Sequence, residues 1–235
     1  GRIKAVGNIQ RITKTMQMIA TARFQAAQKR ATAAQPYTRK IAELVGELAS
    51  SLAGQEEGQA QVSHPLLRAP SPATNRELLL VLTANRGLCG GYNANVLRTA
   101  IAFYRKQLAD GKHVDLEVVG KKGLGYFKFS GTPVSQFHGQ FTDKPAYDEV
   151  DRLATRYMDE FAAGKYDAVR VVYMAFHSMS RQSPTVLPLL PMQDPSKQPG
   201  AVAEPSAKAG PVDLGVQYDF SPEPAKLLGE LLPIT

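Results

Sequence analysis

Residues 84–91 form the part of the sequence whose residue types could most directly do chemistry. They follow an apolar run at residues 77–83 that is typical of a central parallel strand, and they precede a helical stretch at about residues 93–109. A strand, a glycine-rich loop and a helix N-terminus can together bind a phosphate group. The spacing G-x-x-G-G matches neither the dinucleotide-binding nor the P-loop pattern. It therefore predicts a tight turn with positive φ at its glycines, and nucleotide binding remains the alternative.

Cys89 and the histidines are the other candidates for catalysis. Backbone N–H groups of the loop could make the Cys89 thiol reactive, but a nucleophile also needs a base. The histidines lie on different predicted elements and have no carboxylate at catalytic spacing in the sequence: His64, His113, His138 and His177. We expect each of them to be exposed or hydrogen-bonded, and we expect no catalytic residue, no metal site and no cofactor. A single cysteine also excludes an intrachain disulfide.

The middle of the chain alternates strands and helices. After a polar linker at residues 55–75 and the first strand and helix, we predict strands at 114–119 and 134–137, helices at 121–129 and 146–163, a strand at 167–176 and its antiparallel partner at 183–192. This order predicts an α/β domain over residues 76–220, with a central, doubly wound, mostly parallel sheet flanked by helices. A flexible loop is expected at 193–212, a last strand at 213–220, and the start of a C-terminal helix at 221–235.

Positive charge is concentrated in the first 42 residues. Nine of the 28 lysines and arginines lie there, and the first acidic residue is Glu43, although the chain has 21 acidic residues and a net charge of +7. Such a basic segment favours an acidic partner, which can be nucleic acid, an anionic membrane surface or acidic protein loops. A solvated helix face is the alternative.

The same segment has the apolar spacing of a coiled coil. Alternating steps of three and four residues define a seam: Ile9, Ile12, Met16 and Ile19. The residues between them are strong helix formers, and an apolar pattern resumes after Pro36, where we expect the helix to be kinked or interrupted. A helix over residues 3–53 would be about 75 Å long. We therefore predict that residues 1–54 form a long projecting coiled-coil helix whose seam is covered by another helix or chain.

Several separated motifs occur in an order that carries a family resemblance. The N-terminal motif is G-N-I-Q-R-I-T-K-T-M-Q-M-I-A at residues 7–20, and the loop motif is N-R-G-L-C-G-G-Y-N at residues 85–93. Further matches are Pro36-Tyr37, His64-Pro65, residues 119–123, Met179-Ser180, Pro184-Thr185, residues 189–191, and residues 218–224 before Leu227-Leu228. Together they resemble the gamma subunits of F-type, proton-translocating ATP synthases, and the resemblance covers nearly the whole chain.

The resemblance implies a rotor shaft that has no catalytic site of its own. In that family the N-terminal helix pairs with a C-terminal helix, and the pair turns inside the α3β3 hexamer, which couples proton translocation through the c-ring to ATP synthesis or hydrolysis. The implied partners are the α and β subunits, the epsilon subunit and the c-ring, without nucleic acid and without an inserted membrane segment. The implied location is peripheral, on the inner, cytoplasmic face of an energy-coupling membrane, that of a bacterial plasma membrane.

The resemblance also implies contact residues. Contacts with the hexamer are implied for Arg11, Lys14, Met16 and Arg23. Contacts of the α/β domain, the foot of the shaft, with epsilon and the c-ring are implied for Arg86, Gly87, Leu88, Cys89, Gly90, Gly91, Tyr218 and Glu223.

Two features depart from the family pattern. Asn85 stands where the family has Asp, which puts an ion pair at that point in doubt. The chain ends at Thr235, before the family's long C-terminal helix, so we expect the second helix of the shaft to be missing from this sequence. Two other functions stay open: an independent nucleotide-binding enzyme built on the α/β domain, and a nucleic-acid binder that uses residues 1–42. The apolar seam argues against the latter, because a DNA-binding arm does not require one.

Overall fold

A computed structural model describes residues 2–53, 65–67, 72–142 and 144–192. The loop predicted at 193–212, the strand at 213–220 and the helix start at 221–235 lie outside the described residues, as does most of the linker predicted at 55–75. The described residues form two compact units, which divide between Leu44 and Val45.

Helix α1 comprises Arg2–Ala53 and has 52 residues. Its residues rise by about 1.5 Å each, which gives a length near 78 Å. Pro36 lies inside the helix. The expected interruption at Pro36 is therefore wrong, because a proline removes only one hydrogen bond of the ladder and the rest of a long helix holds the backbone.

A five-stranded mixed sheet organises the rest of the described chain. Its strands are β1 (Arg76–Leu82), β2 (His113–Val119), β3 (Gln136–His138), β4 (Ala168–Phe176) and β5 (Gln182–Leu190). The order in space is β3-β2-β1-β4-β5, with all neighbours parallel except β4 and β5. The helices that connect the parallel strands are α2 (Tyr92–Ala109), α3 (Lys121–Phe129) and α4 (Tyr147–Ala162).

Helices cover both faces of this sheet. On one face, α2 and α3 bury a cluster that includes Leu79, Val81, Val96, Val118 and Phe127. On the opposite face lies α4, whose Tyr157 and Phe161 are buried. The first two crossovers move outward from β1 in one direction and the third returns across β1 to β4, so the α/β fold with a doubly wound, mostly parallel sheet is confirmed.

Most predicted elements agree with the structure to within two residues. The third strand, predicted at 134–137, begins two residues later than expected and pairs over Gln136–His138. Val134 packs against the core cluster without strand pairing, which explains its apolar character. Ser135 donates its N–H to the carbonyl oxygen of Leu116 at 2.7 Å and leads the chain into β3.

Candidate functional site

The glycine-rich loop connects the carboxyl end of β1 to the first residue of α2, Tyr92. Its backbone differs from the expected pattern, because positive φ occurs at Leu88 (61°) and Gly90 (59°) but not at Gly87 or Gly91. Leu88 is also 94% exposed. Left-handed backbone at a residue other than glycine carries a conformational cost. The sequence analysis did not predict the positive φ of Leu88, because it expected positive φ only at the glycines of the loop.

Asn93 closes this loop on itself. Its Oδ1 accepts the N–H of Ala84 at 2.9 Å, and its Nδ2 donates to Sγ of Cys89 at 3.1 Å. The N–H of Tyr92 donates to the carbonyl oxygen of Cys89 at 3.3 Å. The loop is therefore a self-bonded βα turn, in which the Cys89 thiol is exposed and contacts an amide.

Asn85 ties the loop to two other segments. Its Oδ1 accepts the backbone N–H of Lys121 at 3.1 Å, and its Nδ2 donates to the carbonyl oxygen of Phe141 at 3.2 Å. One contact needs an acceptor and the other a donor, which an amide provides and an ionised Asp does not. The departure from the family pattern thus has a structural use: an amide replaces any ion pair at this point.

Two glycines let α3 begin directly against the end of β1. A Cβ on Gly120, where φ is 94°, would overlap the carbonyl of Thr83, and a Cβ on Gly123 would lie 2.6 Å from Thr83 Oγ1. The N–H of Gly123 donates to that hydroxyl at 2.9 Å, and the hydroxyl donates to the carbonyl oxygen of Val119 at 2.8 Å. Close approach explains why both positions are glycine, and it fixes α3 beside the loop.

A buried carboxylate forms the centre of a polar cluster on the other face of the sheet. Glu117 Oε2 lies 2.7 Å from His138 Nε2, and it accepts hydrogen bonds from Arg156 at 2.6 Å and Tyr157 Oη at 2.7 Å. Burial raises the pKa of Glu117, but the hydrogen bonds from these three side chains outweigh burial and lower it to about 2. Burial together with the adjacent carboxylate raises the pKa of Tyr157.

Sequence reasoning missed this cluster. The signal was present in β2, where Asp115 and Glu117 occupy alternate positions of an otherwise apolar strand, and alternate positions share one face. Asp115 accepts hydrogen bonds from Arg76 at 2.8 Å and Tyr166 at 2.9 Å.

Two of the histidines lie beside carboxylates, although the sequence showed no carboxylate at catalytic spacing from any histidine. These are His138, with Glu117, and His113, whose Nε2 lies 3.2 Å from Asp115 Oδ1. His177 lies 2.9 Å from the hydroxyl of Ser183, and His64 lies outside the described residues. Within the described ranges, no three His, Cys, Asp or Glu side chains are grouped so that they could hold a metal ion.

The residues expected to contact the hexamer occupy two faces of α1. At roughly 100° per residue, Met16 and Arg23 lie within about 40° of Ile9 on the seam, whereas Arg11 and Lys14 lie about 140–160° away from it. The seam side chains are 47–60% exposed: Ile9, Ile12, Met16 and Ile19. None of the described helices is both long and apolar enough to cross a membrane.

The structure brings the predicted foot residues 86–91 together in one loop beside α3. Tyr218 and Glu223, the other two predicted foot contacts, lie outside the described residues.

Comparison with known proteins gives one consistent result. The family model described as ATP synthase matches residues 1–235. The ATP synthase gamma chain of Rhodopirellula baltica is 39% identical over 234 residues, which are 99% of this chain and 74% of that protein. The gamma chain of Desulforudis audaxviator is 35% identical over 232 residues, with 99% and 74% coverage. The chain thus spans about three quarters of the length of these relatives.

Among solved structures, the chain is similar to one in the central stalk and c-ring of the mitochondrial ATP synthase of Tetrahymena thermophila. The TM-score is 0.50 at 22% identity, with 77% of this chain and 72% of that chain covered. This similarity supports the fold.

Proposed function

The chain belongs to the ATP synthase gamma-chain family, and from this premise we propose that it is the central rotor shaft of an F-type ATP synthase. It turns inside the α3β3 hexamer and couples proton translocation through the c-ring to ATP synthesis or hydrolysis. The shaft transmits torque and contains no catalytic site of its own. Residues 1–54 form the shaft and residues 76–220 the foot.

The observation that carries the proposal is the 52-residue helix α1 with its exposed apolar seam. A rotor needs an element that is long and stiff, and a continuous helix of about 78 Å provides both. A single helix with an apolar stripe is stable only when that stripe is covered. In the assembled enzyme we infer that a second helix covers the seam.

The basic side chains of α1 then have separate roles. Arg11 and Lys14 lie away from the seam, so they stay accessible when a second helix covers it, and we infer that they contact acidic loops of the α and β subunits. Met16 and Arg23 lie on the seam side, where they contribute to the coiled coil and to the hexamer contact at its border.

The foot contacts subunits outside the hexamer. We infer that the loop 86–91 docks on a neighbouring subunit, among which epsilon and the c-ring are the expected partners, as they are for Tyr218 and Glu223. Exposure of Leu88 and of the loop's polar groups supports this role. The protein is then a peripheral component on the inner face of the energy-coupling membrane, that of a bacterial plasma membrane.

Reconstitution tests the proposal. The α and β subunits are assembled with and without this chain, and MgATP hydrolysis is measured. Hydrolysis that depends on the chain is the expected result, and hydrolysis that is equal in its absence would refute the shaft role. Calorimetry with ATP and the chain alone distinguishes the shaft from the alternative of an independent nucleotide-binding enzyme. Micromolar binding of ATP would favour the enzyme.

A further inference from the structure

Helix α3 has an exposed aromatic face that its own core does not use. Phe129 is 91% exposed and Tyr126 is 41% exposed, whereas Phe127 of the same helix is 1% exposed. At about 100° per residue, Lys122, Tyr126 and Phe129 fall within about 60° of one another, and Phe127 lies on the opposite side. We call Lys122, Tyr126 and Phe129 the α3 face. Phe127 and Gly123 bury the other side of the helix, and Tyr126 contacts the Phe127 ring edge-to-face at 5.8 Å, which leaves Phe129 as the most exposed part of the face.

Positive charge borders this face. Lys121 and Lys128 lie about 100° to one side of it, and the helix K-K-G-L-G-Y-F-K-F contains no acidic residue. Across the described part of the chain, none of the three lysines of α3 forms an ion pair with an Asp or Glu. Two aromatic rings beside three uncompensated cations match a partner that is both acidic and apolar.

The α3 face is continuous with the glycine-rich loop. The Cε atom of Lys122 lies 3.7 Å from the position that a Cβ would take on Gly87, and the N–H of Lys122 donates to the carbonyl oxygen of Ala84 at 3.1 Å. The exposed Leu88 is thus one residue beyond the part of the loop that Lys122 contacts. The backbone N–H groups of Lys121 and Gly123 donate hydrogen bonds to Asn85 Oδ1 and Thr83 Oγ1, so the loop and α3 are held together before any partner binds.

We propose that the α3 face docks an acidic protein segment that carries apolar side chains, supplied by another subunit of the complex. The proposal rests on the proposed function, since it names the chemistry of a foot partner. A protein segment fits better than a lipid surface, because hydrogen bonds hold the loop that carries Leu88 and α3 in fixed relative positions, whereas a bilayer selects no such geometry. Moreover, a helix of nine residues that buries one side offers only two rings to the acyl region.

Photo-crosslinking in the assembled complex tests the proposal. Phe129 is replaced by the photoreactive analogue p-benzoylphenylalanine, which is close in shape and sits at an exposed position, and the crosslinked peptides are identified by mass spectrometry. The matched control places the same analogue at Tyr147, which is 76% exposed on α4. We expect a crosslink from position 129 to an acidic segment of another subunit, at a yield several-fold above the control, because the analogue reacts only with groups that it contacts.

The charge contribution is tested with the double substitution Lys121→Gln and Lys122→Gln. It should lower the crosslink yield from position 129 several-fold. The control double substitution in α2, Arg105→Gln and Lys106→Gln, should leave that yield unchanged. Crosslinks to lipid in a vesicle-embedded complex, crosslinks to a non-acidic segment, or a yield equal to the control would each overturn the proposal. If the complex hydrolyses MgATP in dependence on this chain and still shows no crosslink, only the α3 proposal fails; if it does not depend on the chain, the proposed function fails with it.

Discussion

Glu117 Oε2 lies 2.7 Å from His138 Nε2, although 21 residues separate the two in the chain. Parallel pairing of β2 with β3 brings them together, since Glu117 is in register with Gln136 and Val119 with His138. Arg156 and Tyr157 of α4 bind the same carboxylate oxygen. One buried charge thus joins an edge strand of three residues and a helix to the central sheet.

Loss of this charge should destabilise the α/β domain. Glu117→Gln keeps the shape of the side chain but leaves the Arg156 guanidinium without its carboxylate, and we expect the free energy of unfolding to fall by about 3 kcal/mol. Urea unfolding followed by circular dichroism at pH 7 measures the change. Asp151→Asn removes an exposed charge from α4, the helix that carries Arg156, and should change the free energy of unfolding little. An equal effect of both substitutions would contradict the assignment.

The same cluster predicts a pH dependence. The pKa of Glu117 is about 2 in the folded protein against a usual value of 4.5. A folded-state pKa below the unfolded value adds stability that is fully present above about pH 5 and is lost as the pH falls through 4.5 towards 2. Urea unfolding at pH 6, 4 and 3 should therefore show a steeper loss for the original protein than for Glu117→Gln. Parallel curves would show that Glu117 does not titrate as described.

A methyl group at Gly120 should be poorly tolerated. Gly120→Ala places a Cβ on backbone with φ of 94° and against the carbonyl of Thr83, so we expect a loss of about 3 kcal/mol or more. Gly125→Ala is the matched control, because a Cβ at Gly125 meets nothing within 4 Å. Alanine has a higher helix propensity than glycine, so Gly125→Ala should stabilise the domain by up to about 1 kcal/mol. Comparable thermal unfolding of the two variants would refute the close approach.

The amide of Asn85 should matter as a donor. Asn85→Asp keeps an acceptor for Lys121 N–H but brings a carboxylate against the carbonyl oxygen of Phe141, and we expect a loss of about 1–3 kcal/mol. Asn95→Asp lies in the first turn of α2, where a negative charge is favourable, and it should be neutral or slightly stabilising. Denaturant unfolding compares them. If Asp at position 85 were as stable as Asn, the contact with Phe141 would contribute nothing.

Charge on the outer face of α1 should affect coupling and leave folding unchanged. Lys14→Gln removes one cation from the face away from the seam. In the assembled complex we expect the rate of MgATP hydrolysis to fall several-fold and to depend less on salt concentration than in the original complex. Lys106→Gln removes an exposed cation from α2 and serves as the control. Identical salt profiles for the two variants would exclude a role for Lys14 in hexamer contact.

Regular periodicity made most of the fold predictable. The apolar run before the glycine-rich loop indicated the first strand, helices were predicted at about 93–109 and at 146–163, and helix α3 was predicted with its observed bounds, Lys121–Phe129. The antiparallel edge pair of β4 and β5 was also predicted. Local pattern was less accurate at two positions. Val134 is apolar because it packs against the core, and Pro36 lies inside α1, where the loss of one hydrogen bond does not end the helix.

The candidate site divides in the same way. The loop at 86–91 was located from its glycines, but the positive φ at Leu88 was not predicted, nor were the hydrogen bonds by which Asn93 and Asn85 hold the loop. The partners of Glu117 come from β3 and α4, whose register no local pattern contains. The contact residues on α1 were named from family motifs, and their division into two faces follows from helix geometry alone.

Rotation of this chain inside the hexamer is the central claim, and single-molecule rotation tests it most directly. Cys89 is exposed and is the one cysteine in the 235 residues, so a bead attached there reports on the foot. In an α3β3 complex fixed to a surface and supplied with MgATP, we expect the bead to turn in one direction in steps of a third of a turn. A bead that stays still while the same complexes hydrolyse MgATP would contradict the account.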